Sequence, residues 1–464
     1  MDAIRPALEL TVLLPGMLLA YLPMHGYLKQ PPEKLVRRML PLLVLLAAIA
    51  ICLLILFSSL ETATCALFFF VAFSQIIAFK EVNLCILPAV SYIVKYVLTK
   101  SIRMSDLYAF PILIYCLIFA NPSGTMKLGT WIYPILLLLP IVICNATERT
   151  LYPRIIRSFM AGFVLAAIIG FFKAKIPDMA VLFEEDALYI SGVETTLNIR
   201  RYAGLSYDPN FFVLTDCILI SILLFSSKKM RTSELLTLLF LVVAGFFTFS
   251  KSYMLVLAVI GIVYVLKNGA HVLHVAGVIL CCAVLVLLAE NYTSIKVITL
   301  INARFTTSNG LNDLTTGRLS IWGTYLSYLG KNLNCLVFGS GFNAFSLRKA
   351  VHNTFLDSLY RFGIVGSALW YVHLRNCVSA VSARFSKANK KNWMPAAVCI
   401  ALLTFLSAFH FQQLWCCFCL VLFSLYQTEE EKDIATEHSG SGLQRGLHTA
   451  ALRGQHTKSN LYGF

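Results

Sequence analysis

The chain has 464 residues, 58% hydrophobic and only 13% charged, with a mean hydropathy of +0.76; an ordinary soluble domain is roughly 45–50% apolar and about 25% charged. Apolar runs of near-membrane length recur along most of it, which excludes a soluble enzyme, a secreted disulfide scaffold and a disordered chain. The net charge of +15 is scattered between those runs and gathered on no face or arm, so it points to membrane topology and away from nucleic acid.

In chain order, the first apolar run, 7–24, lacks a small-x-small cleavage site and is followed by Lys29, Lys34, Arg37 and Arg38, so it reads as a retained anchor. Further runs occupy 40–57, 65–79, 84–98, 107–120, 131–144 and 159–172, then 211–225, 235–249, 253–266, 272–289, 355–374, 396–409 and 414–426. Several fall short of the ~20 residues a helix needs to cross, so the spacing predicts an all-α integral membrane protein of about 12–14 transmembrane helices. The basic connections 226–233, 267–271 and 375–391 share one side with the C-terminal tail, and the positive-inside rule makes that side the cytoplasm. Counting back puts Arg149, Arg154, Arg157, Lys100 and Arg103 inside but Arg37 and Arg38 outside, so one of the first four runs is not a full crossing. The expected organisation is N-terminal transmembrane helices (1–173), an outer-face loop (174–210), central transmembrane helices (211–289), a large outer-face catalytic loop (290–353, between Ala289 and Phe355), C-terminal transmembrane helices (354–427) and a disordered cytoplasmic tail (428–464). Most of the 14 cysteines, including Cys416, Cys417 and Cys419, sit inside apolar runs, where they act as small hydrophobes; no metal site is expected.

Chemistry is expected in the two outer-face loops. The larger carries Lys296, Arg304, Arg318, Lys331, Arg348 and Lys349 against Glu290 and Asp313, a basic balance suited to an anionic partner, although a long translocated loop also escapes the charge rule. Asp208 followed by Pro209 reads as an N-cap and first helical residue. Leu319, Trp322, Leu326 and Leu329 fall at helical spacing, predicting an interfacial helix whose aromatic residues lie at headgroup depth. Asp357 and Arg361 have the spacing of an i,i+4 ion pair, and Gly363 and Gly366 that of a close helix approach.

The segment from Gly317 to Trp370 contains T-G-R-x-x-x-W (Gly317, Arg318, Trp322), an F-G-x-G turn (Phe338, Gly339, Gly341) and H-N-x9-G-x-x-G (His352, Asn353, Gly363, Gly366). Upstream stand R-x-x-G-L-x-x-D-P-N (Arg201, Gly204, Leu205, Asp208, Pro209, Asn210) and Ser250–Lys251–Ser252. Over its C-terminal half the chain thereby resembles the O-antigen ligase/polymerase superfamily of bacterial polysaccharide assembly. Many relatives have Ser-Arg-Ser where this chain has Lys251, which keeps the charge but loses the bidentate fork.

The resemblance implies a GT-C-like glycosyltransferase of the bacterial inner membrane, with its active-site loops on the periplasmic face and its C-terminus in the cytoplasm. It implies inverting transfer of an undecaprenyl-pyrophosphate-linked glycan to a hydroxyl, without cofactor, metal or nucleotide. The acceptor would be another lipid-linked repeat unit in a polymerase, or lipid A core or a protein in a ligase; a lipid-linked glycan transporter is the reading from another class. Expected partners are the lipid-linked glycan, the hydroxyl acceptor glycan, the bilayer, and a chain-length regulator or flippase. A departing pyrophosphate calls for fixed cations, and Arg201, Lys251, Arg304 and Arg318 are the candidates, with Arg304 chosen on charge and position alone. His352 suits deprotonation of the acceptor, before a helix that Asn353 would cap and whose N-terminus keeps the imidazole neutral. Asn210, Asn353 and Trp322 complete the expected glycan and pyrophosphate contacts, with His352 and Arg318 as the catalytic pair.

Overall fold

The computed structural model describes residues 33–74, 76–79, 82–84, 86–100, 106–119, 133–173, 201–206, 208–226, 230–267, 317–342, 349–384, 392–408 and 413–425, with single positions elsewhere. The 7–24 run, most of the 174–210 loop, Arg304 and the tail from 428 lie outside the described residues. Among the described residues the fold is all-helical apart from a two-stranded antiparallel ribbon, β1 (Ile77–Phe79) and β2 (Val82–Asn83).

The N-terminal helices are α1 (Glu33–Phe57), α2 (Leu60–Val71), α3 (Ile86–Thr99), α4 (Phe110–Ile118), α5 (Leu139–Ala146) and α6 (Tyr152–Lys173). Three departures from the predicted elements occur here. Arg37 and Arg38 belong to the start of α1 and not to a loop. The 65–79 run is not one helix: α2 stops at Val71 and the chain turns back through the ribbon. The 107–120 and 131–144 runs each enter as a 3-10 turn and become α-helical at Pro111 and Pro140, where a residue without an N–H fits the first helical turn.

The C-terminal half comprises α7 (Pro209–Phe225), α8 (Thr232–Phe246), α9 (Lys251–Lys267), α10 (Arg318–Lys331), α11 (Leu333–Phe338), α12 (Thr354–Ser382), α13 (Met394–Leu403) and α14 (Leu414–Leu425). Helix α7 is buried on nearly every side, and its neighbours include α8, α9, α13 and α14. Aromatic pairs join the two halves: Tyr152 stacks on Phe423 at 4.2 Å and Phe163 on Phe212 at 5.0 Å between centroids.

Among the described residues one helical stretch, Arg149–Phe172, is long and apolar enough to cross a membrane, and nine shorter apolar helices accompany it. Two helices present large apolar side chains outward in stripes. On α1, Leu42, Leu46, Ile49 and Leu53 are exposed while Val44, Ala48, Ile51 and Ile55 are buried; on α9, Leu255, Val259, Ile262 and Leu266 form a second outward stripe.

Helix α12 is broken at Gly363, whose φ of 63° and ψ of −170° are not helical. The break releases the carbonyls of Tyr360, Arg361 and Phe362, and each finds a donor elsewhere. The Ser340 and Gly341 amides donate to Tyr360 and Arg361 at 2.8 and 3.0 Å. The Tyr115 hydroxyl of α4 contacts the Phe362 carbonyl at 2.9 Å and the Phe338 carbonyl at 2.7 Å. The F-G-x-G turn is thus the complement of the break in α12, and both sequence features are structural. Asp357 and Arg361 form the i,i+4 ion pair, Arg361 Nε donating at 2.8 Å with both side chains almost wholly buried, and Arg361 Nη1 donates to the Phe342 carbonyl at 2.8 Å.

Candidate active site

Two of the motif segments meet through direct hydrogen bonds. Asp208 caps α7: its Oδ1 accepts from the Asn210 backbone N–H at 2.7 Å and from Asn210 Nδ2 at 2.8 Å. Asn210 Oδ1 in turn accepts from the Ser250 hydroxyl at 3.0 Å, and Ser250 is 2.8 Å from the Ser252 hydroxyl. Arg201 Nε donates to the Thr248 carbonyl at 2.8 Å, and the Tyr202 amide to that of Phe247 at 2.9 Å. Lys251, the first residue of α9, is held between the two bonded serines. Gly204 takes a φ of 59° and lies against Gly170 of α6, so only glycine suits this end of the Arg201 segment.

A second group forms where α10 meets the start of α12. Gly317 enters α10 in the left-handed region, placing Arg318 in the first turn. Trp322, one turn later, donates its indole N–H to the Val351 carbonyl at 2.9 Å, bracing the residue before His352. His352 itself has a φ of 49°, unusual for a residue with a Cβ, and Asn353 caps α12 by accepting from the Leu356 amide at 3.0 Å. Thr354, fully buried, donates to the Leu406 carbonyl at 2.5 Å and accepts from the Ala408 amide at 3.2 Å. The turn after α13 thereby becomes a further wall, and it sets the Phe405 ring 5.6 Å from the Arg318 guanidinium carbon.

Electrostatics join the two groups. The Asp208 carboxylate acts on Arg201, Arg318 and His352 alike, and the two guanidinium groups oppose one another. Burial lowers both arginines from the ordinary guanidinium value and the Asp208 charge raises them again; they remain cations. His352 is held below the ordinary histidine value, by burial first and then by the Arg318 charge, with Lys349 adding to the effect and Asp208 opposing it. Burial and Arg318 therefore account for a neutral imidazole, where the sequence pointed to the helix N-terminus.

Among the described residues, neither Arg318 nor His352 has a hydrogen-bonded or ion-paired partner, whereas Asn210, Asn353 and Trp322 spend theirs within the fold. The latter three are supports, and the part-buried Arg318 and His352 side chains keep their hydrogen-bonding groups for a ligand. Arg304 lies outside the described residues, and no group of three or more His, Cys, Asp or Glu side chains among those described could hold a metal ion.

Helix α10 forms where the spacing predicted a helix, with Leu319 and Leu326 44% and 57% exposed and Tyr325 and Leu329 buried with Val351 and Tyr360. The Tyr325 hydroxyl, reaching the Lys349 carbonyl at 3.0 Å, decides which side turns inward. Sequence reasoning missed Thr354 and Phe405. For Thr354 the signal was its place beside the H-N pair; Phe405, in an apolar run, had none.

No protein-family model matches the chain, and no curated protein and no solved structure matches it.

Proposed function

We propose that the chain is a multi-pass glycosyltransferase of the bacterial inner membrane, GT-C-like with about 12–14 spans, that polymerises a surface polysaccharide. It transfers a glycan from undecaprenyl pyrophosphate to the hydroxyl of another lipid-linked repeat unit. The observation that carries the reading is that Arg201, Arg318 and His352, far apart in the chain, all lie within the electrostatic reach of one carboxylate, Asp208, while hydrogen bonds tie the Asp208 segment to Ser250 and the Arg318 helix to the residue before His352. The outward apolar stripes on α1 and α9 support the membrane setting, since such surface facing water is a liability.

The acceptor oxygen forms a bond to the anomeric carbon while its proton passes to the neutral His352 imidazole. On the opposite face of that carbon the bond to the pyrophosphate oxygen breaks, its electron pair leaves with the lipid pyrophosphate, and the anomeric configuration inverts. The developing charge is met by Arg318, whose guanidinium is partly desolvated and has no hydrogen-bond or ion-pair partner among the described residues, together with Arg201.

The test is transfer by purified protein in lipid, supplied with polyprenyl-pyrophosphate repeat units alone. The parent should make a ladder of longer lipid-linked chains, and His352→Ala and Arg318→Ala, still folded, should not. A ladder that waits for lipid A core or a protein acceptor replaces the polymerase by a ligase. Absence of transfer with every acceptor favours a transporter.

A further inference from the structure

Arg318 is held in a closed circuit of contacts. From Arg318 the path runs one turn along α10 to Trp322, across the indole hydrogen bond to Val351, and through His352 and Asn353 to Thr354. It crosses by the Thr354 hydroxyl to Leu406, steps back one residue to Phe405, and returns through the ring face to the Arg318 guanidinium. Every link but the last is covalent or a hydrogen bond. The last is a cation over an aromatic face at 5.6 Å, inside the ~6 Å range where the ring quadrupole attracts it. Phe405 is itself fixed, because Thr354 both donates to the carbonyl of Leu406 and accepts the amide of Ala408.

We infer that Phe405 is a positioning residue for Arg318, its ring holding the guanidinium over the site so that the N–H groups stay free for the pyrophosphate oxygens. An aromatic face attracts the cation without consuming a donor, whereas a carboxylate in its place would take the hydrogen bonds the ligand needs. The inference rests on the reading of Arg318 as a pyrophosphate ligand.

Binding of undecaprenyl pyrophosphate to the full-length protein in lipid nanodiscs tests it, with Phe405→Leu, Phe405→Trp, Arg318→Ala and the double change Phe405→Leu/Arg318→Ala. Phe405→Leu should weaken binding about ten-fold and Phe405→Trp should hold it within about two-fold of the parent. Leucine at that position should add less than about two-fold once Arg318 is already alanine. If Phe405→Leu does not fold, trifluorophenylalanine at 405, similar in shape but electron-poor, should weaken binding in the same way. Parent-like binding by the leucine or fluorinated variant, or an equal loss with and without Arg318, overturns the inference alone. A parent that binds no lipid pyrophosphate overturns the proposed function, and the inference falls with it.

Discussion

Gly339 fills the space a side chain on Gly363 would need: a Cβ on Gly363 would overlap the Gly339 amide nitrogen, and one on Gly339 would overlap the Arg361 carbonyl two residues before Gly363. Both also take positive φ, 77° and 63°. Alanine at either position therefore meets strain and overlap together, and each change should destabilise the protein by about 2 kcal/mol or more. Thermal unfolding in detergent reads this directly; Gly323→Ala, in open space inside α10, is the control expected to keep the midpoint or raise it slightly.

Removing the Arg318 guanidinium should lower kcat/KM for transfer by about 10²-fold or more, the scale of a lost charge-stabilising donor. Arg318→Lys should recover only part, since lysine keeps the charge but neither the fork nor the same fit to the Phe405 face. Equal activity of the lysine variant and the parent would show that charge alone suffices.

The pH profile follows from His352. Its folded-state value lies below the ordinary 6.5, so between the two the unfolded chain binds the proton and the folded chain does not. The contribution to stability is present above the ordinary value and lost as pH falls through the lowered one. Activity depending on the neutral imidazole should accordingly persist below pH 6.5 and fail only through the lowered value. Arg318→Ala removes one cause of the lowering and should move the His352 titration up, while Asp208→Asn should move it down. An NMR titration of ring-labelled histidine follows both shifts, even where transfer is abolished.

Breaking the Asp357–Arg361 pair by Asp357→Ala leaves a buried guanidinium without its counter-charge and should cost about 3–5 kcal/mol. Replacing both partners, Asp357→Leu with Arg361→Met, should recover most of that, with the lost bond to the Phe342 carbonyl as the residual cost. A double-mutant cycle of unfolding midpoints distinguishes the two outcomes.

Local features were legible because local chemistry produces them. The caps at Asp208 and Asn353, the proline after the first of them and the i,i+4 pair each depend on residues within four positions of one another. Of the motif residues, Arg201, Arg318 and His352 all feel the charge of one carboxylate, Asp208. What stayed hidden depends on partners far along the chain. Phe405 gains its place from Thr354, and the inward face of α10 is chosen by Tyr325 reaching Lys349. The early end of α2 and the ribbon after it also broke an uninterrupted apolar run, in which periodicity marks no stop.

The Tyr115 hydroxyl carries a consequence for the order of assembly. It serves carbonyls on both sides of the glycine contact, and it belongs to a helix made long before either of them. The break in α12 therefore closes against a surface that must already be standing, and a chain emerging from its N-terminus supplies that surface in time. Synthesis and construction run in the same direction, and the end bearing Arg318 and His352 is finished last.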